Sequence, residues 1–217
     1  MTLRLFIGNK AYSSWSLRPW LLMRQFAIPF DETVIPMYRP ETRAAMLAVS
    51  PNGKVPALHD GDLVVSESIA IVEYLAERFP DRAVWPRDRA ARALARAVSA
   101  EMHAGFVKLR QACPTNFRRP PRAVPISPEV RADVDRIEAL WADARARFGQ
   151  GGPFLFGAFS AADAMYAPVV NRLHAYAVPV GPETRAYMEA VMALPAWRDW
   201  IAGGAAEPWH NADTDAL

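Results

Sequence analysis

Two adjacent hydroxyls, Ser13 and Ser14, stand in the run Asn9-Lys10-Ala11-Tyr12-Ser13-Ser14-Trp15-Ser16, between a short apolar strand pattern at 3–7 and an apolar helical pattern reaching Phe26. A strand-to-helix junction presents unpaired backbone N–H groups and the positive end of the helix dipole. A thiolate or carboxylate is favoured at such a place. Ser14 is the leading candidate for the hydroxyl that would donate to that anion, and Ser13 is its rival. Serine is also a preferred N-cap, so on this stretch alone either residue can simply start the helix.

Three more groups carry chemistry. Gly53-Lys54-Val55-Pro56 lies directly before a strand pattern. An X–Pro bond there is either an ordinary trans turn or a cis bond. The cis form would expose the N–H and C=O of Val55 to a cleft, where an extended peptide can pair with them as an added strand. Glu67-Ser68 opens an amphipathic helix: its N–H groups and the Ser68 hydroxyl suit a carboxylate, and Glu67 suits an ammonium. The plainer reading is capping by Ser66 or Ser68. His103 and Arg110 fall two turns apart on one face of a long helical pattern, near Phe106, on a face that can line a pocket or pack into the core. Ser160-Ala161-Ala162-Asp163 has capping-box spacing and reads as structural. The four histidines have no metal-ligand spacing, and no HExxH, Walker, Rossmann or GxSxG pattern occurs.

The elements that must position these groups follow in order. A strand at 3–7 leads into a helix to Phe26 with Pro19 in its first turn or so and Arg18 and Arg24 on its polar side. A strand at 32–36 and a short helix at 41–49 come next. A hairpin (56–59 and 63–65, turning at Asp60-Gly61-Asp62) and an amphipathic helix at 66–79 complete the first part. Such an order of βαβ, helix, hairpin and helix within about eighty residues suggests a small thioredoxin-like α/β unit. Phe79 to Pro86 breaks the pattern and reads as a linker. The remainder reads as helical: a long segment over 87–111, a loop rich in Pro and Arg at 114–128, a long helix over 128–148, and helices starting near Ser160, Pro182 and Pro195. The tail from Gly203 is expected to fray. The predicted layout is thus an α/β thioredoxin-like N-terminal domain at 1–80 and an all-α C-terminal domain at 87–217.

Composition narrows the function further. Of 217 residues, 52% are hydrophobic and 22% charged, with a net charge of +2, ordinary values for a globular chain. No apolar run approaches the roughly 20 residues of a membrane span, and the N-terminus lacks a signal-peptide layout. No membrane association and a cytoplasmic location are therefore expected. Cys113 is the only cysteine, so no intrachain disulfide or thiolate metal cluster can form, and no metal is expected. Arg118, Arg119 and Arg122 make one local basic patch, read as a solvated loop. Without a long basic stripe, nucleic-acid binding is not expected.

Together, Tyr12-Ser13-Ser14-Trp15-Ser16, Lys54-Val55-Pro56, Glu67-Ser68-Ile69-Ala70-Ile71 and Ser160–Asp163 resemble the soluble glutathione S-transferase superfamily over nearly the whole chain. The Ser-Ser pair resembles the zeta and other serine-type classes, and the stretches Cys113-Pro114-Thr115-Asn116 and Asn171-Arg172-Leu173 resemble a bacterial branch. Trp15 stands where the zeta pattern has a cysteine, which speaks against zeta-type isomerisation of maleylacetoacetate. The resemblance implies a glutathione transferase that joins the glutathione thiolate to a small electrophile, with glutathione as cosubstrate and no metal. By the same resemblance Ser14 or Ser13 donates to the sulfur, Val55 and Pro56 serve the cysteinyl backbone, and Lys54 sits near the glycyl carboxylate. Glu67 and Ser68 hold the γ-glutamyl end, and the electrophile lies against the helical domain, where His103, Phe106 and Arg110 are candidates. It implies a homodimer. Alternatives are a glutathione-dependent isomerase or peroxidase, or a non-catalytic binding module of the same fold.

Overall fold

Residues 2–217 are described by a computed structural model. Its first half is a four-stranded sheet in the order β2-β1-β3-β4. The central strand β1 (Leu3–Ile7), buried except at Arg4, pairs parallel with β2 (Phe30–Val34) and antiparallel with β3 (Ala57–Asp60), which turns back into β4 (Leu63–Ser66). A parallel pair needs a crossover, and α1 (Ser14–Gln25) supplies it; α2 (Thr42–Val49) links β2 to β3, and α3 (Ser68–Arg78) follows β4. Strand β2 begins two residues earlier than its apolar pattern suggests, because pairing Leu3 with Phe30 sets its register. This mixed sheet with its helices is the expected thioredoxin-like unit.

The second half is helical: α4 (Arg89–Ala104), α5 (Val107–Ala112), α6 (Pro128–Phe148), α7 (Ala161–Ala175), α8 (Pro182–Met192), α9 (Pro195–Ala206) and α10 (Ala212–Asp215). Helix α7 is buried along nearly its whole length and packs on both α4 and α1. One continuous core therefore runs from β1 and α1 into the helical part. At the start of α7 the Asp163 carboxylate reaches back to the Ser160 N–H, 2.8 Å, closing the capping box, and also accepts from the Leu155 N–H, 3.0 Å. Among the described residues no helix is long and apolar enough to cross a membrane.

Five expectations need correction. The segment over 87–111 is two helices, broken at Gly105-Phe106, where Phe106 adopts a left-handed φ of 57°. Pro19 lies in the second turn of α1, where its missing N–H leaves the Trp15 carbonyl without its usual helical donor. Arg18 is not on a polar side: it is 1% exposed, because α1 is covered by α7 on that face. The tail does not simply fray. It ends in α10 and is fastened by Arg118, which donates to the carbonyls of Gly204, Glu207 and Trp209. The basic patch is accordingly a clamp and not a solvated loop; Arg122 likewise donates to the Leu217 carbonyl at 2.7 Å.

Candidate active site

The β1–α1 junction distinguishes the two serines. Ser13 is the N-cap of α1: its hydroxyl accepts from the Ser16 N–H (3.3 Å) and donates to the Ser16 hydroxyl (2.8 Å), which itself accepts from the Gly8 N–H (3.0 Å). Ser14 is the first residue of the helix and 8% exposed, and no hydrogen bond to its hydroxyl occurs among the described residues. Ser13 is thus spent on holding the turn, while Ser14 keeps a free hydroxyl at the positive end of a helix.

The loop carrying these residues is held from two sides. The Asn9 side chain accepts from the Met37 N–H at 2.6 Å. From the C-terminal side, the Glu207 carboxylate accepts from the N–H groups of Lys10 (2.7 Å) and Ala11 (3.1 Å). Gly204 comes so close that a Cβ there would sit 3.0 Å from the Ala11 nitrogen. Tyr12 points its hydroxyl away from the serines, donating to the Asp215 carboxylate at 2.8 Å.

A cleft of about 400 Å³ adjoins the first turn of α1, a size within the range of small-molecule sites. Lys54, Val55, Pro56, Glu67, Ser68 and His103 line it, as do Trp15 and Asn52. Ser13, Ser14, Phe106 and Arg110 are not part of its lining. The Val55–Pro56 bond is cis. Among the described residues the backbone N–H and C=O of Val55 have no partner within the chain. Asn52, unremarkable in sequence except as a turn residue, organises this edge: its Oδ1 accepts from the Ser50 hydroxyl (2.8 Å) and the Lys54 N–H (3.0 Å), and its Nδ2 donates to Glu67 (3.3 Å). Glu67 has a φ of 73°, a conformation that costs a non-glycine residue about 1–3 kcal/mol and clusters at functional sites. Its carboxylate lies 4.0 Å from Lys54 Nζ and 3.9 Å from His103 Nε2. Next to it, at the N-terminus of α3, the Ser68 hydroxyl is buried and has no partner among the described residues. A buried donor left unmatched is disfavoured, so this edge is suited to an incoming acceptor.

The other wall is Trp15. Its ring packs edge-on against His103 (centroids 5.0 Å apart), with the guanidinium groups of Arg18 and Arg110 4.1 Å and 4.5 Å from its centre. His103 and Arg110 do not share one helix, as expected from spacing. They face each other across the Gly105-Phe106 break, where Arg110 donates to the carbonyls of His103 (3.3 Å) and Gly105 (3.1 Å). Phe106 is buried in the core beside them. Burial, then the charge of Arg18, pushes the His103 imidazole down from its ordinary value, with Glu67 pulling the other way. The protonated form of His103 is therefore disfavoured here. Burial also pushes Arg18 well below its usual range, reinforced by Arg110 and Arg172. Trp15 and Arg18 were the residues least visible as site components, since an aromatic and an arginine at helical spacing look the same in a core. Among the described residues no cluster of three or more His, Cys, Asp or Glu side chains could hold a metal ion.

Two family models match the chain: "Glutathione S-transferase, N-terminal domain" over residues 12–78 and "Glutathione S-transferase, C-terminal domain" over residues 127–203. The chain is 31% identical over 96 residues, 44% of each chain, to a probable maleylacetoacetate isomerase of Caenorhabditis elegans. It is 30% identical over 93 residues to glutathione S-transferase 1 of Dianthus caryophyllus, covering 42% of this chain and 41% of that protein. The matched stretches thus span under half the length of these relatives. A glutathione transferase homolog from Burkholderia, solved with bound glutathione, superposes with a TM-score of 0.72 over 95% of this chain and 100% of that one, at 22% identity. That likeness concerns the fold.

Proposed function

The chain belongs to the glutathione S-transferase family, and from that premise we propose that it is a glutathione transferase, joining the thiolate of glutathione to a small electrophile. The observation that carries the reading is the free Ser14 hydroxyl at the start of α1, beside a cleft whose opposite edge offers unmatched groups for a peptide. In this reading residues 1–80 form the glutathione-binding domain and 87–217 the domain that covers the electrophile. Val55 pairs with the cysteinyl backbone. Ser68 and the α3 N-terminus take the γ-glutamyl carboxylate, Glu67 takes its ammonium, and Lys54 sits near the glycyl carboxylate. The proposal extends to a cytoplasmic homodimer with a role in detoxification.

The chemistry asked of the chain is modest. A thiol has a pKa near 8.5, so about 3% is thiolate at neutral pH. Lowering that pKa by about two units requires roughly 2.7 kcal/mol of differential stabilisation. One charge-assisted hydrogen bond contributes about 1.5–3 kcal/mol and a helix N-terminus about 0.3–1 kcal/mol. Ser14 acts as a donor, not as nucleophile or base. The sulfur then attacks the electrophile held at the Trp15 end of the cleft.

One relative's name points to isomerisation of maleylacetoacetate as a second reading. Against it, Trp15 fills the position after the serines where the zeta pattern has a cysteine. Turnover with glutathione and a generic electrophile tests the proposal: Ser14→Ala should lose about tenfold or more in kcat/KM at neutral pH, with Ser13→Ala losing far less. Equal rates for Ser14→Ala and wild type would refute the assignment of Ser14. A titration with no glutathione bound at millimolar concentration would refute the site itself.

A further inference from the structure

Three arginines from three helices meet beside the Trp15 wall. Arg18 (α1) and Arg172 (α7) are almost fully buried, and Arg110 (α5) is half-buried between them and the cleft wall. Every hydrogen bond they make goes to a neutral carbonyl: Arg18 to Met165 (3.0 Å) and Ser14 (3.4 Å), Arg110 to His103 and Gly105, and Arg172 to Arg110 (3.1 Å) and Cys113. Arg172 Nε has no partner among the described residues. Among the described residues no carboxylate hydrogen-bonds or ion-pairs with any of the three, and the charge of Arg110 disfavours both Arg18 and Arg172. Buried charges are ordinarily paired; here Arg110 and Arg172 meet the C-terminal carbonyls of α4 and α5, and Arg18 and Arg110 the Trp15 face, with no opposite full charge among the described residues. The basic residues at 118–122 differ, because the C-terminal segment that they grip brings Glu207 and Asp215 with it.

We propose that the electrophile carries a carboxylate, which the Arg110 guanidinium receives beside Trp15 with Arg18 and Arg172 behind it. The inference deepens the proposed glutathione transfer and rests on it. Position supports it: Lys54, Val55, Glu67 and Ser68 occupy the edge of the cleft assigned to glutathione, whereas Arg110 packs on the ring of Trp15, which lines the other end beside His103, and Arg18 donates to the Ser14 carbonyl. Chemistry supports it too, since the planar guanidinium fork matches a carboxylate and remains charged when partly desolvated.

The test compares a chlorodinitrobenzoate with its carboxamide as second substrates of the whole protein. In both, the glutathione sulfur attacks the chlorine-bearing ring carbon, the C–S bond forms, chloride leaves with the C–Cl electron pair, and the thiol proton passes to solvent. With each rate divided by its uncatalysed rate, wild type should favour the carboxylate by about tenfold or more. Arg110→Met should bring that ratio toward unity, and Arg110→Lys should keep part of it. Arg24→Met, which removes an exposed arginine paired with Asp199, should retain the wild-type ratio. Turnover of both substrates with the same ratio in wild type and Arg110→Met would overturn the inference and leave glutathione transfer standing. Turnover of neither would overturn the proposed function and this inference with it. Should Arg110→Met fail to fold, wild type alone decides: an unreactive dinitrobenzoate should inhibit amide turnover at about tenfold lower concentration than dinitrobenzamide, and equal inhibition would overturn the inference.

Discussion

Replacing Glu207 by alanine removes the acceptor that ties the C-terminal segment to the loop carrying the serines. Glu207 accepts from two backbone N–H groups, at 2.7 Å from Lys10 and 3.1 Å from Ala11. The two losses are unequal. Ala11 is fully buried, so its N–H has no water to turn to, and leaving it unmatched costs about 1–3 kcal/mol. Lys10 is only partly covered and its ammonium remains paired with Glu32 at 2.7 Å, so its N–H can hydrate and the net loss is about 1 kcal/mol. The expected total is about 2–4 kcal/mol. For a chain of this size each kcal/mol shifts Tm by about 2–4 °C, so Glu207→Ala should melt roughly 5–15 °C below wild type. Glu207→Gln keeps one acceptor oxygen and should lose about half as much. Differential scanning calorimetry of the three proteins at one pH measures this. A Tm for Glu207→Ala within about 1 °C of wild type would refute the claim that this carboxylate holds the loop.

Further outcomes follow from the same geometry. Ser68→Ala should weaken glutathione binding by about tenfold with little change in Tm, read by calorimetric titration, because the hydroxyl has no partner within the chain to lose. Burial pushes the Asp163 carboxyl up to about 6, against the hydrogen bonds it accepts from Leu155 and Ser160. Its folded value thus exceeds its unfolded one, so the folded state holds the proton more tightly. The contribution of this group to stability is largest below about pH 4 and is lost as pH rises through about 6, a span worth on the order of 2–3 kcal/mol. Denaturant unfolding from pH 4.5 to pH 7 should show that dependence in wild type and a flatter one in Asp163→Asn, which is itself less stable because an amide cannot accept with both ends.

Sequence reading worked best where periodicity and punctuation agree. Strand β1, helix α6 from Pro128 to Phe148, and the hairpin at Gly61 stand where their patterns put them. Reading failed at 87–111, because Gly105 inside an alanine- and arginine-rich run can be tolerated in a helix, and nothing local requires Phe106 to turn left-handed. That break is a tertiary decision: it lets Arg110 fold back onto the end of α4. Of the candidate site, Lys54, Val55, Pro56, Glu67, Ser68 and His103 were legible and share one cleft. The difference between Ser13 and Ser14 was not legible, since it depends on the direction of one hydroxyl toward Ser16. Arg18 was hidden for a related reason. Helical spacing put it on a polar stripe, but α7, encoded some 150 residues later, covers that stripe and leaves the guanidinium facing carbonyls and other arginines.

The central claim is that Ser14 stabilises a thiolate at the start of α1, and titration of the bound glutathione thiol tests it most directly. Ultraviolet absorbance of the thiolate, followed against pH with glutathione saturating, should give a midpoint about two units below the 8.5 of a free thiol in wild type. In Ser14→Ala the midpoint should return upward by about one to two units, while Ser13→Ala should stay close to wild type. A midpoint unchanged between wild type and Ser14→Ala, or one equal to that of free glutathione in wild type, would contradict the account.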